Sequence, residues 1–593
     1  MFLRAHVRKK NGKPHRYFSV VENRRLNDGR SAQRQVLYLG EINDSQETAW
    51  RKTLEVFDER REHPETLALF PDDRPLPPGT VNALQVRLDG MRLERPRTFG
   101  DCWLGQLVWR QLGLDRFWSE HLGAERGEVP WAQVLELLVI NRLIEPGSEF
   151  RLHRQWFDRS AMDALLGRDF AVASKDRLYR CLDLLVPHKD AVFKHLKQRW
   201  SDLFGAQFDV LLYDLTSTYF EGSCELIPKA KHGYSRDGRP DCRQVVIALV
   251  VTTDGLPLAY EVLSGNTTDK TTLRDFLKRI EDRYGKARRT WVMDRGIPTE
   301  EVLAEMRGQG VQYLVGTPKG RLTKLEKSFL ARPWREVREG VTVKLLDESG
   351  ELLVLARSAD RVKKERAMRR RKLKKLYAGL KELRRQAPSR DQLLQRLGAL
   401  KHEAGRAANL VEIAVPREGE SVTPISFGWK LRWGKFKQAA RRDGHYILRT
   451  NLRGEDPAVL WRRYIQLTEI EAAFKCLKSD LALRPVFHQV ERRVEAHIFV
   501  AFLAYCLTAT LRQRLTPHAP GLTPKAALEK LAGIQMVDVW FPTTDGRWLV
   551  MPRYTQPQEE QQLLLEKLGL TLPAQPPPRI FATQLPPSAH VLK

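Results

Sequence analysis

Val210-Leu-Leu-Tyr-Asp214-Leu-Thr-Ser-Thr-Tyr219-Phe-Glu-Gly222 is the stretch whose reading decides the fold of this chain. Val210 to Tyr213 is an apolar run without alternation, the pattern of a strand buried on both faces at the centre of a sheet. It ends in Asp214 and then in small polar residues. A carboxylate there is costly to bury unless something pairs with it. A divalent cation suits such a hard oxygen ligand. The alternative is a strand-end Asp that caps a turn.

Working outward, a basic, Gly-containing loop, Lys229 to Asp241, leads to a long buried strand, Gln244 to Thr252. Asp254-Gly255 signals a hairpin into Pro257 to Leu263. A helix is expected from Thr268 to Tyr284, then Thr290-Trp-Val-Met-Asp294-Arg-Gly296, a second apolar strand ending in an aspartate. A helix over Thr299 to Arg307 and a strand over Val311 to Val315 complete the series. The order β-β-β-α-β-α-β is that of the ribonuclease-H-like fold, in which the first and fourth strands are central neighbours. Asp214 and Asp294 are then expected side by side, although 80 residues (294 − 214) separate them.

The remaining chain divides by composition. Residues 1–70 read as a small basic β-rich unit, with strands Arg16 to Val21 and Gln35 to Leu39 joined through Asn27-Asp-Gly29. Asp44-Ser-Gln-Glu47 resembles a capping box opening a helix. Residues 71–99 read as a Pro- and Gly-containing linker. Residues 100–204 read as a helical domain: Leu104, Leu107, Val108 and Leu112 share a face, Gly113 suits the stop, Trp131 to Ile144 is a second helix, and Ser174 is a candidate cap for a third. The α/β pattern of 205–318 breaks at 319–444, an expected insertion. It carries a β-hairpin over Val341 to Ala356 and then a basic segment, Arg357 to Arg406, with 18 Lys/Arg against 5 Asp/Glu. Leu373, Leu376, Leu380 and Leu383 form one apolar seam, and Leu393, Leu397 and Leu400 a second, which predicts an antiparallel helical hairpin. The hairpin suits contact with phosphates, and a solvated coiled coil is the alternative. The α/β core resumes over 445–515, and 516–593 is a C-terminal extension with a Pro-rich tail. The expected fold class is α/β: a ribonuclease-H-like core interrupted by this insertion and preceded by β-rich and helical domains.

At 593 residues the chain is too long for one core. A formal net charge of +27 favours a polyanionic partner, most often nucleic acid. The six cysteines are scattered without a C-x-x-C pair, which argues against a structural zinc site and fits buried thiols in a reducing compartment. The N-terminus has no long apolar core, and the apolar run Ile498 to Leu511 reads as a buried helix rather than a membrane span. A cytoplasmic protein without membrane contact is expected.

A third carboxylate comes from the helical stretch after Asp456-Pro457, where Asp suits the N-cap and Pro the first helical position. Tyr464, Glu471 and Lys478 are spaced seven apart, which keeps them on one helical face. Thr468 and Glu471 also fit a capping box, which would give Glu471 a structural role.

Asp214 in D-L-T-S-T-Y-F, Asp294 in V-M-D-R-G-I, and Tyr464, Glu471 and Lys478 together resemble the DDE transposases of the IS-four superfamily, as do Gln244-Val-Val, Gly265-Asn-Thr-Thr-Asp269 and Leu483-Arg-Pro-Val-Phe-His488. The similarity covers roughly residues 205 to 515. It implies catalysis by Asp214, Asp294 and Glu471 as ligands of two Mg2+ ions, with Mn2+ as substitute. It also implies double-stranded DNA as partner, in the form of inverted-repeat transposon ends and target, and a homodimer that pairs two ends. Tyr464, Lys478, Arg484 and His488 are the implied DNA contacts. The family usually carries Arg where this chain has Leu467, leaving Arg462, Arg463 or Arg484 as candidates for that contact. The alternatives are a binding protein that recognises ends without cutting them, and a nuclease that cuts without joining.

Overall fold

The computed structural model describes residues 2–10, 13–25, 31–40, 86–123, 129–267, 273–284, 289–294, 298–317, 332–348, 350–543 and 546–581. They form two compact units. The first comprises Met1–His6, Arg16–Ala287 and Thr468–Lys593, and the second Val7–His15 and Arg288–Leu467.

The N-terminal sheet has three strands, β1 (Phe2–Lys10), β2 (Lys13–Arg25) and β3 (Ser31–Gly40), so a strand precedes the two expected ones. Phe18, Val20, Leu37 and Leu39 are buried and hold the antiparallel β2–β3 pair together. The Asn27-Asp-Gly29 turn and the capping box at Asp44 lie outside the described residues. The linker reading of 71–99 needs correction at its end, because Arg92–Thr98 is a strand, β4.

The helical domain is as expected in kind: Gly100–Gln111, Leu114–His121, Trp131–Ile144, Lys175–Leu185 and Lys189–Phe204. Gly113 takes φ +66°, a left-handed conformation, where the first of these helices gives way to the second. Ser174 stands at the expected N-cap but its hydroxyl makes no capping bond. These helices pack on Glu491–His518, a 28-residue helix long and apolar enough to cross a membrane. The apolar window of that helix is 89% buried.

On the same helix packs an antiparallel three-stranded sheet, β5 (Val210–Tyr219), β6 (Gln244–Thr252) and β7 (Pro257–Ser264). All nine residues of β6 are buried. The lack of alternation has a physical cause, because helices cover both faces. Tyr213 meets Phe276 of helix Leu273–Tyr284 on one face, and Tyr260 meets Phe499 and Phe502 on the other.

In the second unit, β8 (Thr290–Met293), helix Glu300–Gly308 and β9 (Gln312–Thr317) follow in order, with β8 and β9 parallel. The element order from β5 to β9 is thus strand, strand, strand, helix, strand, helix, strand, as read from the sequence. The β-hairpin of the insertion joins the sheet of this unit. Its strands β10 (Arg335–Arg338), β11 (Val341–Glu348) and β12 (Glu351–Ser358) pair in sequence, and β12 pairs with β15 (His445–Thr450), which pairs with β9. The hairpin therefore widens the sheet of this unit. The helical part does stand apart. Ala359–Gln386 and Arg390–Ala404 form the antiparallel hairpin, and their leucine seams share a core with strands β13 (Val411–Ala414) and β14 (Gly428–Leu431).

The C-terminal extension is also structured. Strands β16 (Gln535–Pro542), β17 (Trp548–Tyr554) and β18 (Arg579–Phe581) form a sheet with β4. Arg97 of β4 is buried there between Asp163 at 2.7 Å and Asp538 at 2.5 Å.

The first unit also buries a polar cluster of Arg142, Glu149, His488 and His497. His497 lies 3.4 Å from Arg142 Nη2 through Nδ1 and 3.3 Å from the Leu483 carbonyl through Nε2. Those partners assign the neutral tautomer with its proton on Nε2. Burial, with the charge of Arg142, pushes His497 down to about 3. Burial alone would raise Glu149, but His488, 3.5 Å away, together with the charges of His497 and Arg142, holds it down to about 2. A histidine kept neutral in the fold leaves stability intact above its unfolded pKa of roughly 6.5, and stability is lost as pH falls from there toward 3. The Glu149 contribution is lost only lower, from roughly 4.5 toward 2. Between pH 7 and pH 5, wild type should therefore lose more stability than His497→Gln, with slopes differing by up to ~1.4 kcal/mol per pH unit. Denaturant titrations across that range check this, and parallel slopes would contradict it.

Candidate active site

Asp214 occupies the middle of β5. Residues directly opposite in antiparallel strands share a face, so the register Asp214↔Leu249↔Tyr260 puts Asp214 on the face turned to helix Glu491–His518. The carboxylate is half-buried, and its Oδ1 accepts from the Leu215 amide at 2.7 Å. It is therefore set in the strand rather than just beyond its end.

Glu471 comes from helix Leu467–Lys475, which widens into a π-helical turn over Cys476–Asp480. Ile470, Ala473, Phe474 and Leu477 are buried and fix the inner face, while Glu471 is exposed. Two anchors hold this segment against the β5–β6 pair. At its start, Glu469 Oε2 lies 3.1 Å from Arg512, which also donates to the Asp254 carbonyl at 3.3 Å in the turn after β6. Gly255 in that turn has φ +77°, a left-handed conformation that favours glycine, and a Cβ there would displace the Arg512 guanidinium, 1.9 Å away. At its end, Lys478 Nζ meets Asp237 Oδ1 at 2.7 Å in the loop before β6, and the Arg236 amide donates to Ser217 of β5 at 3.3 Å. The Val486 amide then donates to the Tyr219 carbonyl at 3.0 Å. Thr218, two positions along the face from Thr216 and four from Asp214, donates to the Leu483 carbonyl. The segment bearing Glu471 thus crosses the β5–β6 pair from one end to the other on the face that bears Asp214.

Asp294 follows β8 in the second unit and is exposed at the carboxyl end of a parallel pair, the edge where α/β sheets commonly carry their ligands. The helix after it is braced by a network centred on the buried pair Arg449 and Glu351. Arg449 of β15 pairs with Glu300 at 2.6 Å and with Glu351 at 2.6 Å, and Arg307 pairs with Glu351 at 2.7 Å.

The expected DNA contacts fall in different settings. Tyr464 lies in the second unit with its ring centroid 6.1 Å from that of Tyr446. The helix is interrupted at Gln466, so Pro457–Ile465 and Leu467–Lys475 are separate segments. Asp456 caps the first by accepting from Ala458, as its position before Pro457 predicted. Lys478 and Arg484 converge on Asp237. His488 turns inward to Glu149 and is 11% exposed at its side chain. Leu467, at the position where Arg is usual, is buried, so its side chain serves packing. Arg463 lies 3.6 Å from Glu455 and Arg462 is exposed. Sequence reasoning missed Asp237, an acid in a loop noted only for its basic residues, and Glu149, whose partners lie far along the chain.

Asp214 and Glu471 in the first unit and Asp294 in the second each carry a carboxylate, the hard oxygen ligand that Mg2+ and Mn2+ prefer. Residues 205–507 match the family described as Transposase DDE domain. No curated protein matches the chain. Among solved structures, a cryo-EM structure of the piggyBac transposase synaptic complex with hairpin DNA is similar, at 9% identity and a TM-score of 0.34 over 74% of this chain and 82% of that one. With more than half of its residues inside the family match, and both strand aspartates and Glu471 within it, this chain belongs to the transposase DDE domain family.

Proposed function

We propose that this chain is a DDE transposase of the IS-four superfamily that binds inverted-repeat transposon ends, cuts DNA and joins the cut end to a target. The observation that carries this reading is the anchoring of the Glu471 segment, through Glu469–Arg512 and the Val486–Tyr219 hydrogen bond, across the face of β5 that bears Asp214. Asp214, Asp294 and Glu471 would be the residues that hold the divalent cations, and the placement supports the pairing of Asp214 with Glu471.

Cleavage and joining are both in-line displacements at phosphorus, so one site serves both if it accepts two nucleophiles in turn, first water and then the freed 3′-hydroxyl. Divalent cations at the three carboxylates would activate the attacking oxygen and stabilise the leaving one. The chain itself supplies the oxygen ligands and the long-range binding of DNA. Lys363, Lys364, Arg370, Arg371 and Lys374 stand exposed on the helical hairpin, where they suit contact with the backbone of the duplex. Two copies of the chain would hold the two ends.

Asp214→Asn should keep the fold and DNA binding and abolish both nicking and strand transfer, because Asn loses the charge that holds two cations. Glu471→Gln should do the same. Gel assays with a labelled precut end in Mg2+ check both, and full strand transfer by Asp214→Asn would overturn the assignment. Loss of joining with cutting retained would favour the nuclease, and wild type inert in Mg2+ and Mn2+ the binding protein. Replacing the five exposed hairpin residues by Gln should flatten the dependence of log affinity on log salt by about 0.9 for each phosphate no longer neutralised. An unchanged slope would make the hairpin a plain coiled coil.

A further inference from the structure

Asp237 has an unusual setting in the first unit. It lies in the turn Arg236–Gly238, whose backbone is at the surface, yet its side chain is only 3% exposed. Oδ1 receives both the Lys478 ammonium, at 2.7 Å, and the Arg484 guanidinium. Oδ2 is buried and accepts no hydrogen bond among the described residues. One oxygen is used twice and the other not at all, although an unsatisfied buried acceptor costs about 1–3 kcal/mol.

The cations also outnumber the carboxylate. Burial pulls the pKa of Lys478 below its ordinary value, and the charges of Arg484 and Arg236 add to this against the opposing pull of Asp237. The loop has other moorings. Arg239 pairs with Asp241 at 2.8 Å and lies over the Tyr219 ring at 5.1 Å, and Gln244 donates to the carbonyls of Tyr234 and Gly265. The loop's position therefore does not depend on Asp237 alone.

A group with two equivalent anionic oxygens and a tetrahedral centre would give each cation an oxygen of its own. We propose that Lys478 and Arg484 form a phosphate site and that Asp237 fills it as a stand-in, to be displaced by a phosphodiester of the DNA. The exchange is neutral in charge, since one monoanion replaces another. It withholds the site from weak, isolated anions and yields it to a duplex held by many other contacts. DNA as the ligand rests on the proposed function; the anion site itself does not.

The test uses the full chain and inorganic phosphate, with ionic strength held constant by chloride. Asp237→Ala should melt below wild type in chloride, because two cations lose their partner. Phosphate should raise its midpoint while leaving wild type nearly unmoved, and the triple variant with Lys478→Ala and Arg484→Ala should lose that response. Asp237→Asn, which keeps the side-chain shape, should show the same response in weaker form and serves if the alanine variant does not fold. Equal phosphate responses in wild type and both Asp237 variants, or a response that survives in the triple variant, would overturn the site. In a second arm, Asp237→Ala or Asp237→Asn should bind a terminal-repeat duplex about fivefold tighter than wild type, because the competing occupant is gone. Unchanged or weaker duplex binding would overturn DNA as the ligand. A phosphate response in a protein that binds no DNA at all would leave the anion site standing and remove the transposase reading.

Discussion

Helix Glu491–His518 is apolar around its whole circumference, so it must be covered on every side. The first unit is arranged by that demand. Helices of the 100–204 region cover one side, the β5–β7 sheet another, and the C-terminal helices Pro524–Leu531 and Glu559–Leu568 a third. Polar groups along the helix then fix the register of what packs there. Trp200 donates to Thr510 at 2.9 Å, Tyr505 donates to the Gly255 carbonyl at 3.0 Å, Arg493 pairs with Asp183 at 2.8 Å, and Glu495 pairs with Lys229. Because β7 packs on this helix, the register puts the even-numbered residues of β5, Asp214 among them, on the face turned toward it. The candidate site is in that sense a consequence of how the core helix is buried.

Much of this was legible because burial leaves a mark on composition. Val210 to Tyr213 and Gln244 to Thr252 are apolar without alternation for the reason found, helices on both faces. The leucine seams of Ala359–Gln386 and Arg390–Ala404 read correctly because a two-helix hairpin is specified locally. Asp456-Pro457 marked a helix start because capping chemistry is also local. What escaped was long-range pairing. Strand β4, Arg-Leu-Glu-Arg-Pro-Arg-Thr, fully buries only Arg97, and its partner β16 lies more than four hundred residues on. Nothing local told β11 and β12 to join β15 rather than stay a separate hairpin. The π-helical turn at Cys476 left no mark in the sequence, and it alters the seven-residue spacing on which Glu471 and Lys478 were matched.

Charge is handled differently in different parts of the chain. The chain has 100 Lys/Arg against 73 Asp/Glu, and several buried bases are held by acids from distant segments, as Arg97 is by Asp163 and Asp538 and Arg449 by Glu300 and Glu351. Such pairs contribute mainly to which arrangement forms, since removing one partner leaves a buried charge uncompensated. Asp294 and Glu471 are exposed, by contrast, and Asp214 is half-buried. Among the described residues, exposed cations cluster on the helical hairpin, where a polyanion can reach them.

A transposase of the proposed kind would hold two divalent cations on Asp214, Asp294 and Glu471 together. Anomalous diffraction from crystals grown with Mn2+ tests it most directly. The account predicts two manganese peaks about 3.5–4 Å apart, with Asp214 bound to both and Asp294 and Glu471 to one each. Manganese bound elsewhere, or carboxyl groups more than about 10 Å apart in the ion-loaded protein, would contradict it.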